Sequence, residues 1–450
     1  MHARFKDWSL LDAAARKQLG ALASARARAL EPGLNAYALI RSECEGPAEG
    51  GLEGALRGMP YAAKDIFAAP DRRPCWGLRR QQPVNDDYAD VLRLLDEAGG
   101  VRVGYTALTE LAYEPSGYNA VCGRVRNPWN PDFISGGSSS GSAAAVASGS
   151  AVIALGSDTG GSLRIPAHCC GLTAWKPTHG IVSTRGAMAL APTLDTIGLL
   201  ARSAADLEPG LDTLGGELPA ANAPISGAVI MRNALGDAHP SIRKACRDGI
   251  EAIAASGVAL TYNDSKTPLE SADGPVLTIM QAEAARSHRH LLDEASIDPV
   301  LRKRLAKGLD TDDATLGAQI SQRPALALAF VEKLLGSAGI AVLPVMAICT
   351  PRAAECDPRE ASFSARTLYA LSQYTRFVNM LGLPAVALPV GLDDRGMPVA
   401  LQIVGRPRSD RALLRLAVAV QGITSWHGHV PDAVSALLTR GDPPDIVHTA

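Results

Sequence analysis

The sequence predicts an α/β fold, a single large domain with a central mixed, mostly parallel twisted sheet flanked by helices. Three observations predict it. A helical pattern over 91–98 ends at Gly99-Gly100 and feeds a short β-like run at 101–105. An apolar run at 151–155, with the character of a buried strand, follows an alanine-rich helical stretch at 142–147. Late in the chain, apolar runs return at 339–346 and 384–390, and Asp393-Asp394-Arg395-Gly396 can turn the latter into a hairpin with 399–404.

The remaining elements follow in order. From Ser9 to about Ala29, Leu10, Leu11, Ala14, Leu19 and Leu22 recur at helical spacing, with Ser9 placed as a cap and Pro32 as a stop. Ser203 and Asp206 are spaced as a capping pair for a further helix, and 215–225 reads as a loose connection. Residues 226–335 give mostly helical patterns, at 276–295, 299–309 and 326–335, broken by Asp- and Pro-containing turns. That stretch is expected to be a helical insertion or flank. A capped helix is expected from Ser409, and the tail from Arg440, with Pro443-Pro444, is expected to be mobile. The whole chain, 1–450, thus reads as one domain with a core at about 50–210, a mostly helical region at about 215–365 and a return to the sheet at about 366–425.

Composition bounds the function. Apolar residues make up 47% and charged residues 20% of 450, and 44 Lys plus Arg against 46 Asp plus Glu give a net charge of −2. Bulk disorder and a global attraction to nucleic acid are excluded on those grounds. No run reaches the roughly 18 uninterrupted apolar residues of a spanning helix, and the first residues lack the apolar core of a secretory signal. The expectation is a cytoplasmic protein with neither membrane nor nucleic acid as partner. Eight cysteines are scattered without Cys-x-x-Cys or a Cys/His grouping at metal spacing, so neither a disulfide framework nor a metal site is expected, and adjacent Cys169-Cys170 read as small buried hydrophobes.

Three segments carry candidate chemistry. Gly136-Gly137-Ser138-Ser139-Ser140-Gly141-Ser142 brings four hydroxyls into a loop that runs into a helix, where side-chain hydroxyls and backbone amides converge. Gly156-Ser157-Asp158-Thr159-Gly160-Gly161-Ser162-Leu163-Arg164 follows the buried-strand run. Its successive amides from Thr159 to Ser162 suit an anion, whether a tetrahedral oxyanion or a phosphate. The phosphate use lacks the Gly-x-x-x-x-Gly-Lys pattern. Upstream, Gly58-Met59-Pro60-Tyr61-Ala62-Ala63-Lys64-Asp65 sets one lysine after an apolar run; burial there would lower its pKa and yield a neutral amine able to accept a proton.

Together the three segments resemble the amidase signature family of serine amide hydrolases. Lys64, Ser138 and Ser162 lie 74 and 24 residues apart in the family's order of Lys, cis-Ser and nucleophilic Ser, with Asp158–Ser162 preserving the Asp-x-Gly-Gly-Ser core. Cys170-Gly171, Lys176-Pro177-Thr178, Leu194-Asp195-Thr196-Ile197-Gly198, Gly382-Leu383-Pro384 and Gln402-Ile403-Val404-Gly405-Arg406-Pro407 are similar to family landmarks as well. The resemblance spans nearly the whole chain and is weakest across 215–365. It implies the family's α/β fold, Ser162 as nucleophile, Ser138 after a cis peptide bond as proton shuttle and Lys64 as base. It further implies an oxyanion hole of the Thr159, Gly160, Gly161 and Ser162 amides, supporting roles for Ser139, Asp158 and Arg164, a small-molecule amide as substrate, no metal or organic cofactor, and a homodimer as a family-like assembly.

Departures and rival readings complete the picture. Ser140 stands where many members of the family have Gly. The segment Asp71-Arg72-Arg73-Pro74-Cys75-Trp76-Gly77-Leu78-Arg79-Arg80 replaces a small, threonine-bearing one, and its four arginines either attract a carboxylate-bearing substrate or form a solvated basic loop. Gly137-Ser138-Ser139-Ser140-Gly141 also fits the Gly-x-Ser-x-Gly elbow that would nominate Ser139, but the turn-rich residues before it argue against the strand an elbow needs. His168 and His179 are expected to serve local backbone groups or face solvent. Three functions follow: a free-standing amidase acting on a small amide, with a carboxylated or urea-like one suggested by the arginine segment; the glutaminase subunit of a tRNA-dependent amidotransferase; and a non-catalytic binding member of the fold.

Overall fold

The computed structural model describes residues 11–41, 54–83, 86–216, 218–219, 223–292 and 297–434. Among the described residues, eleven strands form one sheet: β1 (Tyr37–Ile40), β2 (Pro60–Lys64), β3 (Val101–Thr106), β4 (Ile153–Asp158), β5 (Thr173–Lys176), β6 (Thr196–Ala201), β7 (Gly227–Met231), β8 (Ala259–Asn263), β9 (Ile340–Pro344), β10 (Ala385–Leu392) and β11 (Pro398–Gly405). Their order across the sheet is β1-β3-β2-β4-β6-β5-β10-β11-β9-β7-β8.

The sheet is mixed, as expected, but the expected parallel majority is corrected. The joins β3–β2, β2–β4, β9–β7 and β7–β8 are parallel, whereas β1–β3, β4–β6, β6–β5, β5–β10, β10–β11 and β11–β9 are antiparallel. Parallel pairing needs a crossover, and it occurs where a helix supplies one: Asp90–Glu97 between β2 and β3, Ser140–Ala147 between β3 and β4, and Pro240–Ala255 between β7 and β8. In the centre, β5 to β6 and β10 to β11 are joined by loops with no helix between them. The tightest is the expected 393–396 turn, where the amides of Arg395 and Met397 both donate to Asp393 Oδ1 at 2.9 Å.

Both faces of the sheet are covered. Tyr61 and Ala63 of β2, Ile153 and Leu155 of β4, and Leu199 of β6 belong to one buried cluster, while Ala62, Ala154 and Leu200 belong to the other. This period-two division explains why the strands read as continuous apolar runs, with no polar alternation to mark them. The alanines on the second face admit the helix Ser140–Ala147, every residue of which is buried.

Several helix boundaries differ from the expected ones. The opening helix is Ala13–Leu34, capped by Asp12, and it continues past Pro32 to end at Asn35 with φ 52°. Ser9 lies outside the described residues. The long helix expected at 276–295 is Thr267–Ser287, with Pro275 inside it. Ser203 and Asp206 do form a reciprocal capping box at the start of Ala204–Leu214. At the helix Asp410–Gly422, Ser409 occupies the cap position but its hydroxyl donates to the Arg406 carbonyl at 2.7 Å instead of capping. The tail from Arg440 lies outside the described residues.

Candidate active site

The parallel neighbours β2 and β4 end side by side, and these carboxyl ends carry the chemistry. β2 stops at Lys64 and β4 at Asp158, with Ala63 opposite Leu155 in the register. Loops beyond such strand ends are where α/β sheets leave backbone available for a ligand. The loop after β4 runs from Thr159 to Leu163 and enters the helix Arg164–Cys170.

Lys64 is fully buried. Its Nζ lies 2.7 Å from Ser138 Oγ, 2.8 Å from Ser157 Oγ and 3.1 Å from Ser139 Oγ. Burial lowers its pKa to about 7 against the opposing pull of Asp195 and Asp158. Near neutrality the amine is therefore divided between its charged and neutral forms. No carboxylate touches Nζ among the described residues, so three neutral hydroxyls are what hold it.

Ser138 follows a cis peptide bond from Gly137, as the resemblance implies. The loop is packed tightly: a Cβ on Gly137 would stand 2.7 Å from the Glu114 carbonyl oxygen, and one on Gly141 would stand 2.3 Å from that of Ala36. Ser139 joins three parts of the site. Its Oγ donates to the Ser157 carbonyl at 3.2 Å, accepts from the Ser157 amide at 3.3 Å, and its own amide donates to the Ser162 carbonyl at 3.2 Å. No strand precedes this serine run, so the elbow geometry that would have nominated Ser139 is absent from it.

The loop carrying Ser162 is braced from below by an ion pair between Asp158 and Arg164, both with no exposed side-chain surface. Arg164 Nε and Nη2 reach Asp158 Oδ2 and Oδ1 at 3.1 and 2.9 Å, while Nη1 and Nη2 reach Gln402 Oε1 and Asn379 Oδ1 at 2.9 and 2.8 Å. Burial alone would raise the Asp158 pKa, but Arg164 outweighs it and brings the carboxyl to about 2. Asp158 then accepts the amides of Gly161 at 2.8 Å and Leu163 at 3.2 Å, closing the loop over itself.

That closure modifies the expected amide set. Gly161 has its N–H committed to Asp158, whereas the amides of Thr159, Gly160 and Ser162 donate to no protein group among the described residues. Gly161 itself is required: φ is +129°, and a Cβ would fall 2.2 Å from Thr375 Oγ1. Thr375 Oγ1 donates to the Gly160 carbonyl at 2.6 Å, and Thr159 Oγ1 donates to Asp195 Oδ1 at 2.6 Å. Asp195, whose pKa burial raises to about 6, also accepts the Leu190 and Ala191 amides. Ser162 is partly exposed, unlike its neighbours Gly161 and Leu163.

The structure thus gathers Lys64, Ser138 and Ser139 by direct hydrogen bonds and ties Ser162 to them through Ser139. Sequence reasoning missed Ser157, Asn379, Gln402, Thr375 and the role of Asp195. Ser157 and Gln402 carried a signal, since each is a polar residue inside a fully buried strand. Asn379, on the short helix Arg376–Met380, carried none.

The four arginines divide. Arg72 places Nε and Nη2 at 3.2 and 3.0 Å from the two oxygens of Asp65, and its guanidinium lies 5.3 Å from the centroid of the Tyr105 ring. Arg73 pairs at 3.7 Å with exposed Asp87, and Arg79 Nε donates to the Val121 carbonyl at 3.0 Å. Arg79 and Arg80 are exposed. The histidines behave as expected where the contacts are visible: buried His168 Nδ1 accepts the Ala400 amide at 3.1 Å. The seven cysteines among the described residues are free, Cys169 and Cys170 buried with them.

Among the described residues, then, an α/β sheet of eleven strands carries a buried lysine among serines at the ends of two parallel strands. The family model named Amidase matches residues 23–414, and the chain belongs to that family, whose members act on C–N bonds. Among curated relatives, a glutamyl-tRNA(Gln) amidotransferase subunit of Neisseria meningitidis is 30% identical over 92% of this chain and 97% of its own, and the corresponding one of Carboxydothermus hydrogenoformans is 31% identical over 89% and 92%. Among solved structures, an amidase superposes with a TM-score of 0.82 at 31% identity over 90% of this chain and 96% of that one. A 6-aminohexanoate cyclic dimer hydrolase does so with 0.82 at 25% identity over 93% and 96%. No helix among the described residues is long and apolar enough to cross a membrane.

Proposed function

We propose that the protein is a free-standing amidase that hydrolyses a small carboxamide to a carboxylate and ammonia or an amine, through an acyl-enzyme on Ser162. The observation that carries this reading is the fully buried Lys64 amine 2.7 Å from Ser138 Oγ. A neutral amine has two N–H bonds and one lone pair, yet three hydroxyl oxygens surround Nζ. In that state one hydroxyl must donate to nitrogen. Ser139 has committed its hydrogen to the Ser157 carbonyl, so Ser138 and Ser157 are the available donors, with Ser138 the nearer.

The steps follow from that polarity. Ser138 gives its proton to Lys64 and takes one from Ser162 as Ser162 Oγ bonds to the substrate carbonyl carbon. The amides of Thr159, Gly160 and Ser162 stabilise the resulting oxyanion. The relay reverses to protonate the leaving nitrogen as the C–N bond breaks. Water then enters by the same relay, cleaves the ester and restores Ser162. Asp158 and Arg164 hold the loop and Ser139 spaces it; none of the three needs to change its protonation.

The identity to these amidotransferase subunits supports a second reading, the glutaminase component of a tRNA-dependent amidotransferase, which would require partner proteins. Ammonia release from a panel of aliphatic, aryl, urea-derived and carboxylated amides plus glutamine, run beside Ser162→Ala, separates the two. Turnover of small amides by the protein alone, abolished in the variant, is the expected result. Glutamine turnover that appears only with partner proteins and charged tRNA would transfer the assignment to the second reading.

A further inference from the structure

A group of buried polar side chains adjoins the site without being used by the relay. Trp76 begins at the lysine: its amide donates to the Asp65 carbonyl at 3.1 Å and its carbonyl accepts from Leu111 at 2.9 Å. Thr109 begins at the serine loop, with its amide 3.4 Å from the Ser138 carbonyl and its Cγ2 at 3.0 Å from where a Gly137 Cβ would stand. His288 follows the helix Thr267–Ser287. That helix reaches the nucleophile loop, since Met280 Sδ would lie 3.8 Å from a Gly160 Cβ, and Glu283 accepts the Thr193 amide at 3.0 Å. The Trp76 and His288 rings then meet with centroids 5.9 Å apart.

Trp76 is 6% exposed, His288 1% and Thr109 fully buried, yet Trp76 Nε1, both ring nitrogens of His288 and Thr109 Oγ1 have no hydrogen-bond partner among the described residues. Buried polar atoms are rarely left unmatched, so four of them in segments anchored to Lys64, Ser138 and the Gly160 loop mark a place for a bound partner. The available chemistry is neutral. The indole N–H donates, an uncharged imidazole donates at one nitrogen and accepts at the other, and the hydroxyl does either. Burial, with His290 nearby, pushes the His288 pKa down to about 3, which keeps the ring uncharged. The arginines that might have welcomed a carboxylate are elsewhere engaged or exposed.

We propose that Trp76, Thr109 and His288 form the subsite for the end of the substrate remote from the scissile bond, and that it selects an uncharged group with both a donor and an acceptor, a second carboxamide being the simplest. The proposal rests on the amidase reading of Lys64, Ser138 and Ser162. It goes beyond that reading by naming the substrate class, a neutral diamide in place of a carboxylated amide.

The test uses aliphatic diamides of increasing chain length, each paired with analogues in which one carboxamide is replaced by isopropyl or by carboxylate. The wild type is expected to favour the best diamide over its isopropyl analogue by at least about tenfold in kcat/KM, because the analogue leaves the polar atoms unmatched. Trp76→Phe and His288→Leu are expected to bring that ratio towards one, through KM with little change in kcat. His288→Leu is also expected to keep or raise Tm, since it removes unmatched polar atoms from the core, whereas a purely structural histidine would lower it. An unchanged ratio in both variants, or a wild-type preference for the half-acid, overturns the proposal. If the wild type hydrolyses none of these compounds, the amidase reading is decided by the wider amide panel. Calorimetric titration with the diamide then decides the subsite: binding weakened tenfold or more in His288→Leu supports it, and equal or absent binding overturns it.

Discussion

The amide of Ser139 donates to the carbonyl of Ser162 at 3.2 Å, so the loop that holds the Lys64 partners and the loop that carries the candidate nucleophile are joined backbone to backbone. The join is backed on its other side, where a Cβ at Gly156 would fall 2.7 Å from Ser139 Oγ. Neither loop can shift without the other. Relative placement of the Ser138 and Ser162 loops is therefore set by main chain, and side-chain substitutions in the relay are expected to change chemistry more than geometry.

Lys64→Ala gives the most direct reading of the relay. Removing a general base lowers rates by about 10²–10⁴. In the wild type, with the Lys64 pKa brought to about 7 by burial, kcat/KM should fall about tenfold per pH unit below that value as the amine becomes protonated. The variant should lose this acid limb as well as rate. A pH–rate profile of wild type and variant on one amide checks both, and a wild-type rate flat down to pH 5 would remove Lys64 from its role.

Asp158→Asn tests the brace. The substitution leaves Arg164 charged, fully buried and short of its counter-ion, a situation that costs about 3–5 kcal/mol. Urea denaturation should show that loss. The pH dependence has a definite sign: the folded carboxyl titrates near 2, below the ordinary value of 3.8, so its contribution is fully present above about pH 4 and disappears as pH falls towards 2. The variant should lack this part of the acid-induced loss of stability.

Much of this site was legible because its chemistry lies in short contiguous segments. The segments holding Lys64, Ser138, Asp158 and Ser162 stood out as glycine- and serine-rich loops beside apolar runs, while the roles expected of those residues came from the family resemblance; the hairpin after β10 was marked by its Asp-Asp-Arg-Gly turn. The parallel majority was misjudged because an apolar run fixes neither the direction of a strand nor its neighbour. β7 and β8 were missed within the region read as helical. The first is a five-residue apolar run that periodicity alone does not separate from helix, and the second is a short, mostly exposed edge strand. Asn379 and Thr375 reach the site from more than 200 residues away in sequence, so only folding discloses them.

Gly161→Ala should separate folding from catalysis. The residue sits at φ +129°, and a methyl group would collide with Thr375 Oγ1, whose own bond fixes the Gly160 carbonyl. Relief requires the loop to move by roughly an ångström, and a displacement of that size at a reacting group costs about 10²-fold. The expected outcome is a kcat reduced at least about 100-fold, with circular dichroism unchanged. Labelling of Ser162 by an active-site serine probe should slow in parallel, because loop and nucleophile move together.

Arg72→Met addresses the arginine segment. If the four arginines recruit a carboxylated substrate, the variant should lose discrimination between a half-acid amide and its neutral counterpart. The geometry predicts otherwise. Both oxygens of Asp65 are already held by the Arg72 fork, with the Cys75 amide adding a third bond at 3.1 Å, so the guanidinium is part of the loop's own fastening. Hydrogen bonds to charged groups contribute about 1.5–3 kcal/mol, and the variant should lose stability in that range on urea denaturation. Its ratio of kcat/KM for the two amides should remain within about twofold of the wild type. A ratio that collapses while stability holds would instead make Arg72 a substrate-binding residue, and would show that its pairing with Asp65 yields to the substrate.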